Sequence, residues 1–205
     1  MMTEQKNCAV KIAEDKMTSR LAYACAPVIL GIKAANSFMG LSCEAEEIKR
    51  CLAGTGVSVL SFTPHHCKSL FLLYRRRPLL EYLAKPAHRA FLESLDTAYE
   101  SAKQDELIEL LGRRMRAYAD GGGVFPHELG LFLEYPLIDV QGFMRDGGRN
   151  SLYAGYWQVY GNVEEAKERF CRYHQAKAWS LHMTRQGYSL RELAHYQHKL
   201  AGLTA

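Results

Sequence analysis

The sequence has no C-x-x-C pair, no apolar core near its start of the kind a signal peptide carries, and no apolar run near the roughly 20 residues a membrane-spanning helix needs. Each absence removes a class. Without C-x-x-C, the six cysteines (Cys8, Cys25, Cys43, Cys51, Cys67 and Cys171) give no support to a zinc ribbon or a thioredoxin-type site. Without an export signal, free thiols in a reducing cytoplasm are expected instead of disulfides, and no membrane partner is expected. H-E-x-x-H is absent because residue 131 is Leu, which excludes a zincin. Gly121–Gly123 is not followed by Gly-Lys-Ser/Thr, so it is no phosphate loop. Charge of one sign is also scarce. A net +4 from 26 basic and 22 acidic residues is too small and too diffuse to argue for nucleic acid.

What is present fits an ordinary folded chain. A 48% hydrophobic share over 205 residues is enough for one sizeable core. Residues 1–16 read as a polar, flexible N-terminus, 17–178 as a single domain, and 179–205 as a C-terminal helical extension. Pro27 and Gly31 argue against a long helix in APVILGIKAANSF. Ser42 can cap a helix over about 43–53. VSVLSFT (57–63) and SLFLLYR (69–75) read as strands joined by a short turn, hence an antiparallel hairpin. The second is continuously apolar, as a central strand covered on both faces would be. Two short helices over 79–95 break at Lys85–Pro86, and Ser101 with Gln104 predicts a helix over about 102–118. Pro126 opens a short helix, Gly147–Gly148 closes a second over about 137–146, and Gly142 inside it points to a close backbone contact. LYAGYWQVYG (152–161) reads as a third, aromatic strand. Helices over about 163–178 and 190–201 carry Asn162/Glu165 and Ser189/Glu192 capping pairs. The sum is an α+β fold, with mixed α/β as the variant: a sheet of at least three strands covered by helices.

Several residues could carry chemistry. His127 and Glu128 stand at a helix start where backbone N–H groups are free, and a His/Glu pair can move protons. As structural residues they would complement the helix dipole and pack the turn. Asp139, early in the next helix, can cap it or pair with an arginine or with His127. Tyr156 and Tyr160, on the face opposite Trp157, can stack on a flat ligand or simply pack. Lys33 and Arg75 are either solvated cations or contacts for an anionic group, and Arg75–Arg77 at a strand end can take a phosphate or carboxylate. His65, His66 and Cys67 in the strand turn could give two ligands to a metal, although neighbours on an extended segment point to opposite faces. The short-helix pair around 127–146 has helix-turn-helix proportions, but LIDVQGFMRD carries two acids and one Arg and would not be drawn to phosphate. The stripe Leu190, Leu193, Ala194 and Leu200 would pack on the body or on a second subunit, making a homodimer through the C-terminal helix.

FPHELGLFLEYPLIDVQGF followed by GYWQVYG, with APVILGIKAA near the start, resembles a bacterial family common in anaerobic Firmicutes and known only as a domain of unknown function. The signature reads F-P-H-E-x-G-x-F-L-x-Y-P-x-x-D-V-x-G-F. The resemblance covers about 20–178 and is strongest over 125–161. It implies that His127, Glu128, Tyr135 and Asp139 belong to a shared feature, and the family's gene neighbourhoods, with flavodoxins and iron-uptake genes, imply a redox or iron partner. The resulting expectation is a cytosolic protein binding a small anionic or aromatic ligand, or an enzyme acting through His127 and Glu128. The alternatives are a non-catalytic adaptor of a redox or iron system and a haem or metal binder. No particular cofactor is indicated.

Overall fold

The computed structural model describes residues 16–63 and 67–196. The chain is helical over 16–24 (α1), where Met17, Leu21 and Ala22 are buried at helical spacing. It breaks at Cys25 and resumes as the one-turn α2 (Ala26–Ile29), with Pro27 in its first turn. Strand β1 (Ala35–Leu41) follows, then a 3-10 turn (Ser42–Glu44) and α3 (Ala45–Cys51). β2 (Ser58–Ser61) and β3 (Lys68–Tyr74) form the expected antiparallel hairpin. β1 pairs with the other edge of β3, giving the order β1-β3-β2 with Phe38 opposite Phe71.

A run of helices comes next. α4 (Arg76–Leu83) and α5 (Pro86–Leu95) break at the expected Lys85–Pro86, and α6 (Thr97–Ser101) is capped by Asp96, whose carboxylate accepts from the Ala98 amide at 2.9 Å. α7 (Leu107–Ala119) starts later than the capping pair Ser101/Gln104 predicts, because a 3-10 turn at Gln104–Glu106 comes between. Leu107, Leu110, Leu111 and Met115 form its buried stripe, while Tyr118 is exposed. α8 (Leu129–Phe132) and α9 (Leu137–Asp146) follow.

The aromatic stretch differs from its expected form. It is a small separate hairpin, β4 (Tyr153–Ala154) against β5 (Gln158–Val159), and does not join the main sheet. The cause is Gly155. Its amide donates to the Trp157 carbonyl at 3.0 Å, closing the turn, and a Cβ there would lie 2.2 Å from the Phe170 ring. The turn is pressed onto α10 (Val163–Arg185), capped by the Asn162 side chain and running well past residue 178. α11 (Leu190–His195) carries the expected Ser189/Glu192 capping box.

β3 divides the core. Phe71 and Leu73, with Phe38 of β1, face a layer from α1, α2, α3, α10 and α11. Leu72 faces the layer built from α4 to α9. Both faces of the central strand are therefore covered, as its continuous apolar sequence requires. Leu190, Leu193 and Ala194 are buried within the chain, beside Ile29 and Ala176. A third cluster (Trp157, Val159, Ala166, Phe170 and Tyr173) glues the small hairpin to α10.

Candidate functional site

A cleft of about 330 Å³ lies between the α8–α9 region and the β4–β5 hairpin. One wall is a row of rings: Phe125 meets His127 at 5.2 Å between centroids, and His127 meets Phe143 at 5.4 Å. A second aromatic pair in the lining is Tyr135 stacked on Trp157 at 4.9 Å and 26°. Leu129, Leu133 and Val140 form the apolar lining between them, and Gln158 adds an amide. Among the described residues lining the cleft there is no Lys or Arg.

Local sequence explains the layout. Pro126 and His127 begin a turn in which the Leu129 and Gly130 amides donate to their carbonyls at 3.1 Å each. That turn leads into α8, whose Leu131 and Phe132 are buried in the main core. His127 is left half-buried, its ring in contact with Phe125 and Phe143 and its side chain without a hydrogen bond among the described residues. Burial raises the pKa of the Tyr135 phenol above its ordinary value, so it stays a neutral hydroxyl.

Asp139 lines the cleft but is only 3% exposed. Its Oδ2 accepts from the Trp157 indole N–H at 2.7 Å, and its Oδ1 from the amides of Tyr160 and Gly161 at 2.7 and 2.8 Å. It pairs with neither an arginine nor His127. Three charge-assisted hydrogen bonds use most of its acceptor capacity, so it orients the wall and leaves little for a ligand.

The other candidates lie elsewhere. Glu128 is 2% exposed and points away from the cleft into the core, where its Oε1 accepts from Arg114 Nε at 2.5 Å and from the Tyr99 hydroxyl at 3.2 Å. It therefore does not share the cleft with His127. Arg75 spends its guanidinium on the Val28 and Ile29 carbonyls, at 2.8 and 2.6 Å, near the end of α2. Lys33 is not a solvated loop residue. It is 7% exposed, with Nζ 5.3 Å from the Tyr135 ring centre and 5.4 Å from that of Tyr173. Burial pushes its pKa down to about 8, partly opposed by Glu134. Tyr160 lays its ring on Gly142, where a Cβ would come within 2.4 Å, which is the close contact the glycine implied. Its hydroxyl donates to the Arg149 carbonyl at 2.8 Å. Tyr156 lines a different depression.

The structure thus brings His127, Tyr135 and Asp139 together and adds Phe125, Phe143, Trp157 and Gln158. Trp157 reads from sequence as core, and its indole is indeed 7% exposed, yet one side of it lines the cleft. The clue to Phe125 and Phe143 lies in the signature itself, since both are its terminal Phe residues.

His65 and His66 lie outside the described residues, and Cys67 is exposed. Among the described residues no three His, Cys, Asp or Glu side chains gather as a metal site, and no helix is long and apolar enough to cross a membrane. Comparison with the curated proteins and with the solved structures gave no match. The family comparison did: the matched segment, residues 21–194, takes in α10 and α11 beyond residue 178 as well as the whole signature run. The chain belongs to the family described as Protein of unknown function (DUF3793).

Proposed function

We propose that the cleft binds a small, flat, largely uncharged aromatic molecule. The observation that carries this reading is that two aromatic pairs, His127/Phe143 and Tyr135/Trp157, line one space of ligand size with no cation among its described lining residues. His127 is the side chain left to supply a polar contact. Gln158 is partly engaged, its amide oxygen accepting from the Tyr160 hydroxyl at 3.2 Å. With Glu128 held by Arg114 and Asp139 largely occupied by its three donors, no second acid or base among the described lining residues is free to support proton transfer from His127, so binding is favoured over catalysis.

The test uses 2-naphthol, a neutral planar bicycle, in isothermal titration calorimetry, alongside native mass spectrometry of protein purified without dialysis. Saturable one-to-one binding is expected, weakened about tenfold in Phe143→Ala, the loss of roughly 1.4 kcal/mol of ring contact. Absence of both 2-naphthol binding and any copurifying mass would overturn the reading.

A further inference from the structure

The β4–β5 hairpin contributes to two cavities. Trp157 and Gln158 line the cleft; Gly155 and Tyr156, the preceding residues, line a different, open groove of about 590 Å³. The groove's floor is one face of α10: Lys167, Phe170, Cys171, His174 and Lys177 follow each other at helical spacing. Tyr153 and Tyr156 wall it from the hairpin, and Tyr23 closes it from the end of α1. Because Gly155 is seated on Phe170, this wall is fixed to the floor.

The chemistry of the groove is opposite to that of the cleft. No Asp or Glu is among its described lining residues. Lys167 stands over the Tyr153 ring at 5.7 Å and also pairs with the exposed Glu164 at 2.9 Å. Lys177 has no carboxylate partner among the described residues. Its Nζ lies 4.4 Å from the centre of the Tyr156 ring and 5.4 Å from that of Tyr23. Burial holds its pKa below the ordinary lysine value, as expected of an ammonium whose surroundings supply ring faces but no full counter-charge. The Tyr156 hydroxyl lies 3.5 Å from His174 Nδ1, so an imidazole borders the same space. A cation held in place by rings and lacking an anion is an anion site with its positive charge pre-positioned. Exposed Tyr23 and half-buried Tyr156 beside it suit a ring on the same ligand.

We propose that this groove is a ligand site in its own right, for a planar aromatic anion: a ring carrying a carboxylate or phosphate, with the anion on Lys177 and the ring against Tyr23 and Tyr156. It does not depend on the cleft being occupied.

The probes are naphthalene-2-carboxylate and adenosine monophosphate, titrated calorimetrically into the full chain at low salt. Binding of at least one is expected. Lys177→Gln should weaken it about tenfold or more, a desolvated charge contact being worth that much. Lys167→Gln should weaken it less, and Phe143→Ala, in the cleft, should leave it unchanged. Affinity should fall as sodium chloride is raised from 20 to about 300 mM, where the Debye length shortens several-fold. Lys177→Gln should in turn leave 2-naphthol binding intact, so that failure of the groove and failure of the cleft are read separately. The proposal is overturned if neither probe binds, if binding is insensitive to salt, if it survives Lys177→Gln in protein of native circular dichroism, or if Phe143→Ala abolishes it. Adenosine and ribose 5-phosphate, tested singly, should each bind more weakly than the monophosphate; equal binding by ribose 5-phosphate would reduce the groove to a simple anion site and overturn the aromatic part.

Discussion

Asp139 holds Trp157 by its indole N–H at 2.7 Å, and with its other oxygen holds the two backbone amides that follow the hairpin. One buried carboxylate thus fixes both a ring of the cleft and the exit of β5. Asp139→Ala would leave three donors without an acceptor and is expected to destabilise the chain by on the order of 3 kcal/mol. Asp139→Asn should also destabilise, because its NH₂ must face either the indole N–H or the amides. Urea unfolding followed by Trp fluorescence would measure both, and an unchanged midpoint in the alanine variant would refute this role.

Gly142→Ala tests the seat of Tyr160. In an open helix the change would stabilise by up to about 1 kcal/mol. Here the added methyl would stand 2.4 Å from the Tyr160 ring, so a net loss of about 1–3 kcal/mol is expected. A thermal melt higher than that of the parent would contradict the contact.

Glu128→Ala removes the acceptor for Arg114 and Tyr99 in the core and should lower stability by about 3 kcal/mol. Glu128→Gln, which keeps a carbonyl oxygen, should lose less. Neither change touches the cleft. The affinity of the folded Gln variant for 2-naphthol should match the parent's within about twofold, a difference under 0.5 kcal/mol. A large loss of affinity would return Glu128 to the site.

Lys33 gives a pH signature. Its pKa in the folded chain is about 8 against an ordinary 10.5, because burial disfavours the ammonium. Between these values the unfolded chain binds the extra proton, so stability from this residue rises with pH through that window, and below about pH 8 its full penalty applies. Cys25, pushed up to about 12 by burial, works in the opposite direction above pH 9. The clean measurement is therefore the difference between parent and Lys33→Met in urea midpoints from pH 7 to 10. The parent should gain on the variant as pH rises; a constant difference would exclude a buried titrating amine.

The parts of the fold legible in sequence were those whose local chemistry and burial agree. β2–β3 combines β-branched residues, a short turn and an apolar second strand, and α11 and α10 each announce a cap. β1 was not legible as a strand. ANSFMGL holds Ala, Asn, Ser and Gly, poor strand formers, and is a strand because β3 offers it a full edge of hydrogen-bonding partners. α1 carried a helical stripe at Met17, Leu21 and Ala22, masked by its polar neighbours. The aromatic stretch had strand composition throughout, yet one glycine folded it in half.

The site divided in the same way. His127 and Tyr135 could be nominated because they sit in the signature and face the cleft. Glu128, Arg75 and Lys33 carry charge that sequence reading sends to ligands, but the folded chain turns all three inward, toward Arg114, toward the carbonyls near the end of α2, and toward two tyrosine rings. Charge in a sequence does not reveal whether its partner is a solute or the chain itself. Only the neighbours decide, and these come from elements far away along the chain.

The layer over Phe71 and Leu73 is built from residues early in the chain, Met17 to Val57, and from residues late in it, Ala176 to Ala194. During synthesis the ribosome therefore delivers β3 long before the late part of its cover, Ala176, Leu190, Leu193 and Ala194, exists. For more than a hundred residues of elongation that apolar face must wait, shielded only by α1–α3 or by a chaperone. Chains stopped before α11 should collect as aggregates, and folding of the finished chain should be limited by docking of α10 and α11 onto α1–α3.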